Sequence, residues 1–362
     1  MKIGFLKSEV SPIMPHVIKE LKKINLDVFF EEGIAEIANI SDEELEQEGA
    51  KKLSKKEILS LCDILVYYKF NYEDIEYIKR ESTIIGLCDP YINKDKIKLL
   101  LEKQLLVFSL ELIPRISRAQ NMDVLSSMAT ITGYKAVLIA AYHFNRIFPM
   151  LMTPAGNLLP AKVFVIGAGV AGLSAISTAK RLGAVVSAYD IRPAVKEQIE
   201  SLGAKFVDFG LFGQETGYGY AKVMDEEFYK KQRELMKEYI KDIDIIITTA
   251  SVLGARAPIL ITKDMVEVMK KGSIIVDLAI ERGGNCEISK YNEIYDYNGV
   301  KIIALPNLPS SLPYHSSFLY SNNIKNFLKI IAKDGRLNLD LNDEIIRETI
   351  LVNRGKINEK FN

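Results

Sequence analysis

The chain has 362 residues, 48% of them hydrophobic, and its 47 lysines and arginines balance its 47 aspartates and glutamates. That length supports two domains with separate cores, and the neutral total removes the electrostatic case for a nucleic-acid partner. Cys62, Cys88 and Cys286 have no metal-binding spacing and are expected as buried thiols of a reducing compartment.

The first residues, MKIGFLKSEV, enter a strand and lack the features of a secretory leader. Short apolar runs follow at 26–30, 63–68, 83–87 and 105–110, with helical-period segments at 15–25, 41–53, 54–62 and 94–103. SDEE at 41–44 is a helix-start signal, a serine followed three residues later by glutamate. This alternation predicts a parallel sheet covered by helices, over residues 1–130. Residues 121–147 read as one long helix, and 150–162, with Pro154, Gly156 and Pro160, as a linker. No run reaches the ~18 uninterrupted apolar residues of a spanning helix.

A second α/β domain over 135–310 has strands at 162–167, 185–190, 243–250, 273–279 and 300–306, rich in valine and isoleucine as in strands buried on both faces. The segment 316–333 has helical period, so residues 314–362 are expected to complete the first domain and the chain to cross between domains twice. The predicted fold class is α/β, with two Rossmann-like parallel-sheet domains and a cleft between them.

Gly167, Gly169 and Gly172 form GxGxxG between a strand and a helix, in VIGAGVAGL. The first permits a tight turn, the second lets backbone approach a pyrophosphate, and the third lets helix and strand pack closely. Asp190 ends the next strand, where a carboxylate accepts hydrogen bonds from ribose hydroxyls and repels a 2′-phosphate, so NAD is favoured over NADP. Arg192 complicates that choice, because an arginine there is able to pair with a phosphate.

Two further stretches stand out. RISRAQNMDVLSSMA (115–129) gathers Arg115, Gln120, Asp123 and Ser126 in a loop that runs into a helix. This set suits a nicotinamide carboxamide and ribose but holds no obvious acid–base couple; the bland alternative is an N-cap in a solvated turn. GLFGQETGYGYAKVM (210–224), with four glycines in ten residues, reads as a hinged lid that closes a tyrosine over a cofactor. The loops at 248–258 and 276–286 follow strand ends and are expected to line the cleft, with Ser251 and Asp277 as candidates and Gly283 and Gly284 shaping a turn.

These motifs, together with GYKAV, RPAVKEQIESLGAKF, GGNC and NLPSSLP, resemble the soluble NAD(H)-binding component, domain I of the alpha subunit, of the proton-translocating NAD(P) transhydrogenases. The similarity is strong over about 105–350 and weak in the first hundred residues. It implies that Arg115, Gln120, Asn121, Met122, Asp123 and Ser126 form a nicotinamide-side loop. Gly167, Gly169, Val170 and Gly172 would hold the pyrophosphate, and Asp190, Ile191 and Arg192 would meet the adenosine ribose. Tyr220, preceded by Gly219, would be the mobile-loop tyrosine, and no metal is implied. Ser251 stands where the family carries an apolar residue.

The resemblance further implies hydride transfer between NAD(H) on this chain and NADP(H) on a partner, coupled to proton translocation through separate membrane subunits. Those partners are the rest of a split alpha subunit and an NADP(H)-binding beta subunit. It also implies a homodimer, cytoplasmic and peripheral on the inner membrane. The rival is an alanine dehydrogenase, which shares the fold but needs an arginine for the substrate carboxylate and a lysine–histidine pair. This chain has no arginine before Arg80 and no histidine between His16 and His143, leaving Lys69 alone.

Overall fold

In the computed structural model, which describes residues 1–213, 224–251 and 254–361, the chain divides into two units. One comprises Met1–Met128 with Leu312–Asn362, the other Ala129–Ser311. The crossings fall within the helix Val124–His143 and just before the helix Pro313–Ile331.

The first unit is built on an eight-stranded sheet. From one edge its strands are Lys51–Leu53, Asp27–Glu31, Lys2–Phe5, Ile64–Lys69, Thr83–Leu87, Leu106–Ser109, Ile350–Asn353 and Lys356–Ile357. The first six run parallel, Ile350–Asn353 pairs antiparallel with the sixth, and Lys356–Ile357 pairs antiparallel with Ile350–Asn353. The chain order 3-2-1-4-5-6 of the parallel part reverses between Lys2–Phe5 and Ile64–Lys69, as in doubly wound folds. The parallel sheet expected over residues 1–130 is present, and the C-terminal segment adds an antiparallel edge to it. Ile350–Asn353 pairs antiparallel with Leu106–Ser109 and covers a strand that would otherwise expose its amide edge.

Local chemistry sets the helix starts. Ser41 and Glu44 close a capping box before Asp42–Gln47, and Ser54 with Glu57 closes another before Lys55–Leu61. The helical reading of 41–53 is too long, because the helix stops at Gln47 and Lys51–Leu53 joins the sheet as its edge strand. Tyr320, Ile324, Phe327, Leu328 and Ile331 of the helix Pro313–Ile331 are buried in the same core as Phe5, Phe30 and Phe108. Truncating one of these phenylalanines to alanine costs about 3–5 kcal/mol.

The second unit has a seven-stranded sheet, ordered Lys205–Phe206, Val185–Tyr189, Lys162–Ile166, Ile245–Thr248, Ile274–Asp277, Val300–Ala304 and Glu293–Tyr297. Only the last is antiparallel. The strand order turns between Lys162–Ile166 and Ile245–Thr248, the position where doubly wound sheets hold ligands. The expected helix over 121–147 is shorter, Val124–His143, with the 3-10 turn Ser117–Met122 before it. It is long and apolar enough to cross a membrane, but Ala136, Val137 and Ala140 are buried in the core of this unit. The linker is also corrected: Leu151–Thr153 and Gly156–Leu158 pair as an antiparallel hairpin.

Candidate functional site

The glycine turn leaves the strand Lys162–Ile166 and opens the helix Val170–Arg181. Gly167 has φ +96°, and a Cβ there would meet Thr249 Oγ1 at 2.6 Å. A Cβ on Gly172 would lie 1.9 Å from the Gly167 carbonyl oxygen, so helix and turn touch backbone to backbone. On Gly169 a Cβ would meet nothing within 4 Å, so that glycine faces open space. Gly169 is the N-cap of the helix and no side chain caps it, leaving the first amides of the helix, from Val170 on, for another acceptor. The residues therefore fit a phosphate-bearing dinucleotide in shape and in donors.

Two residues outside the expected set complete this turn. Thr249 donates from Oγ1 to the Gly167 carbonyl at 2.9 Å, bracing the turn from the neighbouring strand end. Gly133, within GYKAV, lets Val124–His143 pack on the glycine-turn helix; a Cβ there would lie 2.0 Å from the Ala171 carbonyl oxygen. Ser174 donates to the Thr130 carbonyl at 2.7 Å along the same contact. A glycine in a helix interior costs about 0.5–1 kcal/mol against alanine, and that cost was the available signal.

Asp190 is buried at the end of the strand Val185–Tyr189. It accepts from the Ala168 amide at 2.7 Å and the Arg192 amide at 2.9 Å. Arg192 also reaches it with Nε and Nη2, both at 2.9 Å. The Ile191 carbonyl accepts from the Gly213 amide at 2.8 Å. Beside Asp190, burial pushes the Tyr189 phenol up to about 12; its hydroxyl donates to the Leu211 carbonyl and accepts from Gln232 Nε2.

The loop after Ile274–Asp277 departs from expectation. Asp277 does not line a cleft; it is fully buried. Its carboxylate accepts from the amides of Ala279, Asn285 and Cys286 and the hydroxyls of Thr248 and Ser289. Asn285, also buried, donates from Nδ2 to the carbonyls of Ala250 and Pro258, tying the two loops together. Gly283 and Gly284 have φ +98° and +81° and shape the turn between them. Ser251 is exposed. Gly219 and Tyr220, with the rest of the glycine-rich stretch from 214 to 223, lie outside the described residues.

In the first unit, the segment 114–126 lines an open pocket of about 330 Å³. Arg115, Gln120, Asp123 and Ser126 line it together with Pro114, Ile116 and Ala119. Asp123 accepts from the Ser126 amide at 2.9 Å and the Ser126 hydroxyl at 2.6 Å, capping the helix that follows. The Met122 side chain is buried in the core. Asn323 and Asn326 of the helix Pro313–Ile331 donate to the Asn121 carbonyl at 3.0 and 2.9 Å. Arg118, absent from the expected set, forks onto Asp343 and fastens the 3-10 turn; it holds the Asp343 carboxyl below the usual range. Lys69 reaches the Glu9 carboxylate at 3.8 Å and lies over the Tyr68 ring.

Comparison with known proteins settles the kinship. The family models described as "Alanine dehydrogenase/PNT, N-terminal domain" and "Alanine dehydrogenase/PNT, C-terminal domain" match residues 8–132 and 136–360. The first portion of the split NAD(P) transhydrogenase subunit alpha of Rickettsia prowazekii is 42% identical, over 99% of this chain and 96% of that protein. This chain belongs to the NAD(P) transhydrogenase alpha-subunit family. The crystal structure of transhydrogenase from Sinorhizobium meliloti is 39% identical, with a TM-score of 0.88 over 99% of this chain and 100% of that one. An L-alanine dehydrogenase structure, 21% identical with a TM-score of 0.79 over 99% of this chain and 96% of that one, shares the fold.

Proposed function

We propose that this chain is the NAD(H)-binding component of a transhydrogenase, in which hydride passes directly between NAD(H) on this chain and NADP(H) on a partner subunit. The observation that carries the reading is the glycine turn with its uncapped helix start and the buried Asp190 one strand away. When bound, the dinucleotide supplies the hydride chemistry. The protein's own contribution is position and desolvation, the proximity effect that holds reacting groups about 3–3.5 Å apart.

Gly167, Gly169, Val170 and Gly172 receive the pyrophosphate, and Asp190, with Ile191 and Arg192 beside it, meets the adenosine ribose. Arg115, Gln120, Asn121, Asp123 and Ser126 orient the nicotinamide end. The engagement of Asp123 in capping Ser126 supports orientation over proton transfer. The Rickettsia relative is named as one portion of an alpha subunit, which supports the rest of an alpha subunit as a partner. We extend this to a beta subunit that binds NADP(H), to proton translocation through those membrane subunits, and to a peripheral place on the cytoplasmic side of the membrane. A second copy of this chain is proposed to cover the exposed apolar hairpin, where Met152 and Leu159 are 77% and 80% exposed.

The test is hydride exchange between NADH and an oxidised NADP analogue. It uses the purified chain alone, then with the NADP(H)-binding domain of a transhydrogenase, with alanine plus NAD as a parallel control. Rapid exchange only with the partner domain is the expected result. Alanine-dependent NADH formation without exchange would overturn it.

A further inference from the structure

We propose that Arg192 sets the dinucleotide preference of this chain by competing with the ribose for Asp190, an inference that rests on the NAD(H) reading above. A carboxylate offers about four acceptor positions. Here four donors converge on it. One oxygen takes the Ala168 amide at 2.7 Å and Arg192 Nη2 at 2.9 Å. The other takes the Arg192 amide and Arg192 Nε, both at 2.9 Å. The two side chains are 12% and 6% exposed, so the pair is shielded from water.

The four donors are of two kinds. The Ala168 and Arg192 amides belong to the backbone and hold Asp190 in place whatever the guanidinium does. The fork is a side chain, and rotation of its torsions removes it without moving the strand end. A ribose that presents its hydroxyls to Asp190 has to displace this fork, a bidentate and charge-assisted contact of the stronger class. For NADH the displacement is a penalty with no compensating anion at the ribose. For NADPH the released guanidinium gains the 2′-phosphate, whose oxygens its planar fork binds in bidentate fashion. That gain offsets the repulsion between the phosphate and Asp190. Arg192 thus weakens NADH and strengthens NADPH, narrowing the preference that Asp190 alone would impose.

The experiment measures dissociation constants of NADH and NADPH by isothermal titration calorimetry, for the full chain and for R192A, R192Q and R192K at one ionic strength. R192A is expected to tighten NADH about threefold to tenfold and to weaken NADPH about tenfold, with R192Q following it. R192K, which keeps the charge but loses the fork, falls between. Movement in opposite directions separates competition from a structural role, because a loosened strand end weakens both nucleotides. If both constants rise together, or neither moves, the inference is overturned while the NAD(H) reading stands. If the unaltered chain binds neither nucleotide, the reading itself fails and takes this inference with it. R192Q, shorter and uncharged yet still polar, keeps the test decisive if R192A does not fold.

Discussion

The glycine turn and the segment 114–126 are both polar sites on α/β units, yet they are built from different material. The turn is made of backbone, with Gly172 against the Gly167 carbonyl and Gly133 against the Ala171 carbonyl, where no side chain fits. The segment is made of side chains around an open pocket, with Asp123 spent on a helix cap and Asn121 held through its carbonyl. A backbone-built site fails abruptly when one atom is added. A side-chain-built site degrades by one hydrogen bond at a time, and the predictions below test that contrast.

The largest effect is expected for Gly172→Ala. Its methyl has no room against backbone, and overpacking of this kind costs about 1–3 kcal/mol of stability. NADH affinity should fall with it by roughly a hundredfold, because helix and turn must separate. Calorimetry together with thermal denaturation checks both, and an unchanged melting temperature would break the contrast. Asp190→Asn comes next: it keeps the shape but removes the charge, and NADH should weaken by about tenfold, the value of one charge-assisted hydrogen bond. NADPH should weaken less; equal losses would remove the ribose assignment.

In the side-chain-built segment, Gln120→Ala should lower exchange with the partner domain only about threefold to tenfold, with the melting temperature unchanged. A complete loss there would mean that the segment behaves like the turn. A change outside both sites sharpens the contrast. Met152→Glu combined with Leu159→Glu should convert the proposed dimer to a monomer in light scattering and leave NADH affinity within about twofold, since exposed positions away from packed features rarely change stability by more than ~0.5 kcal/mol. The smallest effect concerns the thiols. Burial pushes Cys62 up to about 12 and Cys286 up to about 11, and it lifts Cys88 as well. A thiol whose pKa lies above the working pH carries little thiolate, so at about pH 8 alkylation of the folded chain should be near zero and should rise only on unfolding. Rapid labelling of the native protein would reveal a nucleophile that neither site is expected to contain.

Much of this architecture was legible in the residues. The spacing of Gly167, Gly169 and Gly172 after an apolar strand, with Asp190 ending the next one, encodes a local turn whose geometry depends on near neighbours only. The capping box at Ser41 and Glu44 was readable for the same reason. Asp277 was misread, because a carboxylate at a strand end looks alike whether it faces a ligand or the amides of its own following loop. The stretch read as a linker concealed a hairpin, since Leu151–Thr153 and Gly156–Leu158 are too short to show an alternation.

By itself, then, the sequence determined the α/β class, the glycine turn and the grouping of Arg115, Gln120, Asp123 and Ser126, all carried by contacts between residues close along the chain. The tertiary structure alone decided three things. One is that Asn323 and Asn326, some two hundred residues away, hold the Asn121 carbonyl. Another is that Thr249 braces Gly167 from the next strand. The last is that Ile350–Asn353 covers the sheet edge at Leu106–Ser109. Such pairings depend on which strands and helices become neighbours, and a hydrogen bond between distant residues leaves no periodicity to read beforehand.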